Sequence, residues 1–421
     1  MERLQIRNFL NIKEADIDVG KINLIIGPQA SGKSIIAKLL YFFHEFTFTS
    51  YLITIIGIRR QTQIKKERIA TFQKYFSKYS WIEQKFDIIY QINDIEISIS
   101  HKRNKSGKLS IRFDYSKNLI DLYRKLIECN KKRNEYQEVR PVFDIRREFN
   151  LFQDLFKEYV LNSGMGNSFY NPIFIPAVRS FFANIQKNIF SFLRSRIKID
   201  PFILNFGLYY ETMRISYEYD FSLKKNIVFK NKLKYLIKSV LIGKYKYENG
   251  EDWIEYENKK INLAHASSGQ QEALPMLIIL ASTVFQNMES KDKYMFFIEE
   301  PEAHLFPVSQ KHIISLIALI YNKKAHNFVL TTHSPYILTA INNAIMASEA
   351  AKKAGKEAVN KIMDLDYSIK YEDVRAYTIK DGIVESIMDE ESRLIGASVI
   401  DSVSDEFDNV FDSLINLQME Q

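Results

Sequence analysis

The chain has 421 residues, 46% hydrophobic and 26% charged, enough apolar material for one large domain with or without an insertion, which sets aside a disordered or fibrous protein. Cys129 is the only cysteine, so a disulfide framework and a cysteine-based zinc cluster are excluded and a reducing cytoplasm is the expected setting. Net charge is +7 but uneven: residues 385–421 hold ten acidic side chains against one basic, Arg393, leaving +16 for the rest. In chain order, Leu4 to Phe9 and Lys21 to Gly27 read as strands, the second rich in β-formers and ending at a glycine. The residues from Ser34, SIIAKLLYFFHEF, read as a helix. FDIIYQIN, DIEISISHK and KLSIRFDY then alternate apolar with polar side chains and are split by turn residues, the pattern of an antiparallel meander. From about Ser116 to Leu161 the sequence is charged and helix-forming, with apolar residues three to four apart. IFIPAV is a short apolar run, followed by helices to about Leu241 and by short strands with turns at Asn249-Gly250 and Asn258-Lys259. After Ser268 a long apolar helix precedes a strand–helix–strand–helix series, as in a parallel α/β core.

Four segments carry chemistry. In GPQASGKS, Gly27 and Gly32 permit a turn whose amides face phosphate oxygens, and the helix that follows adds its positive N-terminal end. Lys33 is placed to reach the β- and γ-phosphates of a nucleotide and Ser34 to ligate Mg²⁺. The expected nucleotide contacts are Gly27, Pro28, Gln29, Ala30, Ser31, Gly32, Lys33, Ser34 and Ile35. In YMFFIEEPEAHLFP a buried strand ends in paired carboxylates, Glu299 and Glu300, suited to holding a metal's water shell and polarising an attacking water. ASSGQQE, Ala266 to Glu272, precedes a helix and by itself reads as an N-cap with Gln271 or Glu272 in the first turn. VLTTHSP ends a β-rich run at His333, a position that is also compatible with a structural histidine.

The order of these four segments resembles that of the ABC-type ATPases of the SMC, RecF and overcoming-lysogenization-defect group, the AAA_15/AAA_21-like ATPases. The likeness covers roughly residues 1–45 and 260–345. It implies an α/β fold: a P-loop ABC-type ATPase core split between the chain ends, with an antiparallel β subdomain and a helical insertion. It also implies ATP and Mg²⁺ as cofactors, and Ser267, Ser268, Gly269 and Gln270 as a signature that meets the γ-phosphate held by a second copy's Lys33. Glu300 takes the catalytic-base role, His333 the γ-phosphate sensor, and Ser34 with Glu299 the metal. Two positions depart from the pattern: Glu299 stands where aspartate is usual, and Ser268 replaces the signature's first glycine. The expected parts are 1–115, the N-terminal core with the phosphate loop and meander; 116–241, a mainly helical insertion; 242–384, the C-terminal core; and 385–421, an acidic helical tail. Gln91 and Gln153 are candidates for the family's Q-loop, and FIPAVRSFF, with Arg179, resembles a segment of bacterial stand-alone members.

No CxxC zinc hook or long heptad arm occurs, and Asp364 with Asp366 forms only a lone DxD. Only 88 residues follow His333, little room for a nuclease domain. The chain therefore resembles the stand-alone ATPases of bacterial anti-phage systems such as PARIS and Septu. That likeness implies self-assembly around ATP and control of a separate effector, a toxin or TOPRIM-type nuclease, in the cytoplasm. The alternative is a RecF-like DNA repair ATPase, with nucleic acid held by Arg59, Arg60, Lys65, Lys66 and Arg68 or by Lys131, Lys132 and Arg133. No run approaches the roughly 18 apolar residues of a membrane span, and no export signal is evident, so no membrane partner is expected.

Overall fold

The computed structural model describes residues 1–47, 61–103, 107, 109–121, 123–124, 170–185, 199–222, 226–286, 293–324, 326–396, 411 and 414–415. Strands β1 (Glu2–Phe9) and β2 (Ile12–Asp18) form a hairpin, and β3 (Ile22–Ile26) leads into helix α1 (Lys33–Glu45). Helix α2 (Gln61–Tyr75) precedes the meander β4 (Phe86–Ile92), β5 (Ile95–Arg103) and β6 (Leu109–Tyr115). Next come β7 (Asn171–Ile175), α3 (Phe181–Ile185), α4 (Pro201–Ser222) and α5 (Ile227–Leu241). A small sheet of β8 (Lys244–Glu248), β9 (Glu251–Tyr256) and β10 (Lys259–Asn262) leads to helix α6 (Ser268–Gln286). The chain then alternates β11 (Tyr294–Glu299), α7 (Pro307–Lys324), β12 (Asn327–Thr332) and α8 (Pro335–Ala354). It continues through α9 (Lys356–Asn360), β13 (Val374–Lys380), β14 (Ile383–Ser386) and a ribbon of β15 (Met388–Asp389) and β16 (Leu394–Ile395).

Among the described residues, eleven strands make one mixed sheet in the order β6-β5-β4-β1-β2-β14-β13-β3-β12-β11-β7. The half from β13 to β7 is parallel, and the half from β6 to β2 is antiparallel. Every residue of β3 and of β12 is buried, as a parallel strand covered by helices on both faces requires. Their side chains alternate between two cores. Ile22, Leu24 and Ile298 face α6, α7 and α8, while Ile25 and Phe297 face α1 and the meander.

Two expectations change. The stretch expected as a mainly helical insertion returns to the core sheet at β7, which pairs with β11 at the sheet edge. IFIPAV reads as an isolated apolar run because its partner strand lies more than a hundred residues further on. The tail is not helical where it begins: residues 385–395 hold the end of β14, then β15, a turn and β16, and most of the remainder lies outside the described residues. β2 escapes the sequence reading because its buried residues, Ile12, Ala15 and Ile17, are unevenly spaced and break the period of two. Cys129, Gln153, Arg59, Arg60, Lys131, Lys132 and Arg133 also lie outside the described residues.

Candidate functional site at the carboxyl edge of the parallel strands

Register brings the motifs together. Thr331 on β12 lies opposite Ile25 on β3 and opposite Glu299 on β11, so the three parallel strands end level. The residues that follow them, Gly27 onward, Glu300 onward and His333, emerge at one edge, where ligands of open α/β sheets bind.

The loop between β3 and α1 is held in a tight conformation by its own backbone. Ala30 has φ 61° and Gly32 φ 111°, and the Ala30 carbonyl accepts 2.6 Å from Asn11 Nδ2 in the β1–β2 turn. A Cβ at Gly32 would approach Ile12 Cδ1 to 2.4 Å and Asn11 Oδ1 to 2.9 Å. Gly32→Ala is therefore expected to cost about 1–3 kcal/mol of unfolding free energy in a urea titration. The Lys33 side chain is buried, and its Nζ donates 2.7 Å bonds to the Gly27 and Pro28 carbonyls. Burial pulls its ammonium below the usual lysine range, and Glu300 and Glu302 partly restore it. Pro28, Gln29 and Ser34 are exposed, and Ile35 is half-buried in the first turn of α1.

Glu299 closes β11 with its side chain buried. Burial pushes its carboxyl above the usual range; Lys38, Ser34 and the Ala177 amide, 3.4 Å from Oε2, offset part of the rise. Among the described residues, Oε1 has no hydrogen-bond partner. Ser31 Oγ and Glu302 Oε2 are likewise buried and without a partner among the described residues. Three such oxygens at one sheet edge fit a polar ligand or cation better than they fit one another. Among the described residues no group of three or more His, Cys, Asp or Glu is placed to hold a metal alone. A Mg²⁺ at Ser34 and Glu299 would thus take its other ligands from phosphate and water. Glu299→Gln is expected to raise unfolding free energy in chelator-containing buffer by about 1–3 kcal/mol, because the amide carries no charge for burial to penalise.

Glu300 has φ 44°, an uncommon backbone region for a residue with a side chain. Its amide donates 2.9 Å to the Thr331 carbonyl, and its carboxylate lies 3.7 Å from His333 Nδ1. Pro335 opens α8 and the Ser334 hydroxyl caps it, so His333 stands just before the helix with its ring exposed to solvent. Glu302, which the sequence reading passes over, anchors this histidine: Oε1 accepts from the His333 amide at 3.0 Å and from Thr332 Oγ1, and lies 3.6 Å from Nδ1. Its only sequence signal is a third acid two residues after a paired one.

Arg179, in the segment after β7, is fully buried. Its NH1 donates to the Pro176 and Glu299 carbonyls at 3.0 and 2.8 Å, its NH2 to the Glu300 carbonyl at 2.9 Å, and its Nε to the Glu272 carbonyl at 2.8 Å. Glu272 Oε2 in turn accepts the Arg179 amide at 2.9 Å.

The ASSGQQE segment forms the start of α6. Ser267 Oγ accepts from the Gln270 amide at 3.4 Å, while Gln270 Oε1 accepts from the Ser267 amide at 3.1 Å, a reciprocal capping box. Gly269 lies so near the His304 carbonyl that a Cβ would approach it to 2.7 Å. Ser267 and Ser268 are exposed, and among the described residues no hydrogen bond or ion pair joins Ser267–Gln270 to the phosphate loop. The remaining candidates have local roles. Gln91 bonds Glu96 across two strands, and Asp364 and Asp366 both pair with Lys232.

The chain belongs to the AAA ATPase domain family AAA_15, which matches residues 1–163 and 167–338. With the α/β sheet and the loop between β3 and α1, this makes it an α/β protein with an AAA ATPase domain. It is 29% identical over 127 residues to the DNA replication and repair protein RecF of Psychromonas ingrahamii, 29% of this chain and 30% of that protein. The chain thus aligns with under a third of that relative's length. Similar solved structures include the SMC head domain from Thermotoga maritima, at 13% identity and TM-score 0.34, covering 91% of this chain and 97% of that one. A second is the SMC head bound to the C-winged helix domain of ScpA, at 12% and 0.37, covering 93% and 98%. No helix among the described residues is long and apolar enough to cross a membrane.

Proposed function

We propose that the protein binds ATP with Mg²⁺ and hydrolyses it at a site that a second copy of the chain completes. The observation that carries this reading is the convergence of Lys33, Ser34, Glu299, Glu300 and His333 at one sheet edge, with buried oxygens there lacking partners. Lys33 exchanges its two carbonyl partners for β- and γ-phosphate oxygens, and loop amides at the start of α1 surround the same phosphates. Ser34 and Glu299 would hold a Mg²⁺ ion, which would offset the negative charge on those phosphates. Glu300 accepts a proton from the water whose oxygen bonds to the γ-phosphorus as the bond to the bridging oxygen breaks and ADP leaves. His333, fixed by Glu302, meets the γ-phosphate from the β12 side. Ser267, Ser268, Gly269 and Gln270 supply the opposite wall from the second copy. The exposure of Ser267 and Ser268, and the lack, among the described residues, of any bond from Ser267–Gln270 to the phosphate loop of their own chain, support that arrangement.

In the bacterial cytoplasm, occupancy of this assembly controls a separate nuclease or toxin in anti-phage defence. This part is supported by the likeness of the motif set to the stand-alone ATPases of such systems. Co-purification with the products of neighbouring genes tests it. Glu300→Gln should retain a toxin or nuclease and Lys33→Ala should lose it; identical captures from both and from wild type would reject it. The RecF likeness favours a second reading, a DNA-binding repair ATPase. Of the basic residues that could grip DNA, Lys65 is 2.9 Å from Asp114 and Arg68 lies over the Phe46 ring, so only Lys66 in the described part of that cluster is exposed. Under the repair reading a duplex would shift in a mobility assay with an affinity that falls steeply with salt.

A further inference from the structure

We propose that Arg179 is a positioning residue for the hydrolytic step: it holds the Glu300 backbone in its left-handed turn and ties that turn to the first turns of α6. The inference rests on the ATPase reading above.

Four carbonyls from three separate segments converge on one guanidinium: Pro176 after β7, Glu272 in α6, and Glu299 and Glu300 at the end of β11. The rigid fork of an arginine can address acceptors in several directions at once, which a single ammonium cannot reproduce. Burying a full charge is also a poor way to gain stability, because an apolar side chain of similar volume does as well or better. What the charge supplies is direction. Glu300 is bonded on both sides of its unusual φ, by Thr331 at its amide and by Arg179 at its carbonyl. Its carboxylate is thereby aimed by backbone contacts rather than by partners of its own, apart from His333 at 3.7 Å. Glu272 completes the link. Its carboxylate takes the Arg179 amide and lies 3.5 Å from Nε, so Arg179 ties α6 to the end of β11. The face of α6 expected to meet a second copy begins four residues earlier, at Ser268. Seating that face therefore bears on the geometry of Glu300 through two side chains.

The test uses the full-length protein as wild type, Arg179→Lys, Arg179→Ala, Glu272→Gln and Glu300→Gln, with kcat and the affinity for a fluorescent ATP analogue measured on each. Arg179→Lys should lower kcat on the order of 10- to 100-fold, the scale of a displaced catalytic group, while nucleotide affinity stays near wild type because the Lys33 loop is untouched. Guanidinium ion should restore part of the turnover of Arg179→Ala and none of that of Glu300→Gln. Glu272→Gln should lower kcat by less than Arg179→Lys does. Wild-type kcat in Arg179→Lys, equal losses in kcat and affinity, or no rescue by guanidinium would each overturn the positioning role. If the Arg179 variants do not fold, unchanged kcat in Glu272→Gln overturns it and a lowered one at constant affinity supports it. Wild-type protein without Glu300-dependent turnover would refute the ATPase reading, and the role of Arg179 would fall with it.

Discussion

Replacing Lys33 with alanine should weaken ATP binding by about 100-fold or more, measured by titration with a fluorescent analogue. Two charge-assisted contacts to phosphate are lost, each worth roughly 1.5–3 kcal/mol in a protein environment. The lysine is already desolvated and already directed, because the Gly27 and Pro28 carbonyls hold its ammonium over the loop. Little side-chain entropy is then spent when phosphate replaces those carbonyls. Burial disfavours the charged form of the lysine, and Glu300 and Glu302 oppose that effect from across the site. Retained nucleotide affinity in Lys33→Ala would mean that phosphates do not contact this loop.

Glu300→Gln is expected to have the other large effect, a fall in turnover of about 100- to 10,000-fold, the range for removing a general base, with nucleotide affinity preserved. The amide keeps the size and place of the carboxylate but does not accept the water's proton. Because the backbone contacts to Thr331 and Arg179 are unaffected, the substitution should leave the fold intact, as thermal unfolding would show. Bound ATP should then accumulate and the self-associated form persist, visible as a larger species in light scattering. Glu299→Gln should separate from it by raising stability while weakening the dependence on Mg²⁺. The two adjacent glutamates thus have different expected signatures, set by burial: Glu299 is enclosed and Glu300 is partly open to solvent.

Much of the site is legible in the sequence because its parts are local. Gly27 to Ser34 specifies a strand, a turn and a helix within a dozen residues, and the acids after YMFFI mark where a buried strand reaches solvent. The α/β core is legible for the same reason, since apolar periodicity shows each strand and helix singly. Apart from β2, whose buried residues are unevenly spaced, what escaped depends on pairing between distant segments. Arg179 bonds Glu272, Glu299 and Glu300 across 93, 120 and 121 positions, and nothing near FIPAVRSFF announces such partners. Glu302 reaches His333 across 31 positions, because two parallel strands end level. The small sheet illustrates the same limit. Its turns at Asn249 and Gly250 are evident from residue type, yet its attachment through buried Asp252 to Tyr210 and Arg214 of α4 is not. At ASSGQQE the helix-cap reading holds without deciding the functional one: Ser267 and Gln270 form a helix cap, while Ser267 and Ser268 remain exposed to solvent.

Complementation between two inactive variants tests the central claim, a nucleotide site shared by two copies. Lys33→Ala removes the phosphate loop's cation, and Ser268→Arg obstructs the exposed start of α6 while sparing the Ser267–Gln270 cap and the close packing of Gly269. Each variant alone should lack turnover. In an equimolar, freely exchanging mixture, half of the dimers carry one intact site, so activity should recover to about a quarter of wild type, as a two-fold interface dictates. A mixture no more active than its components would contradict the shared site.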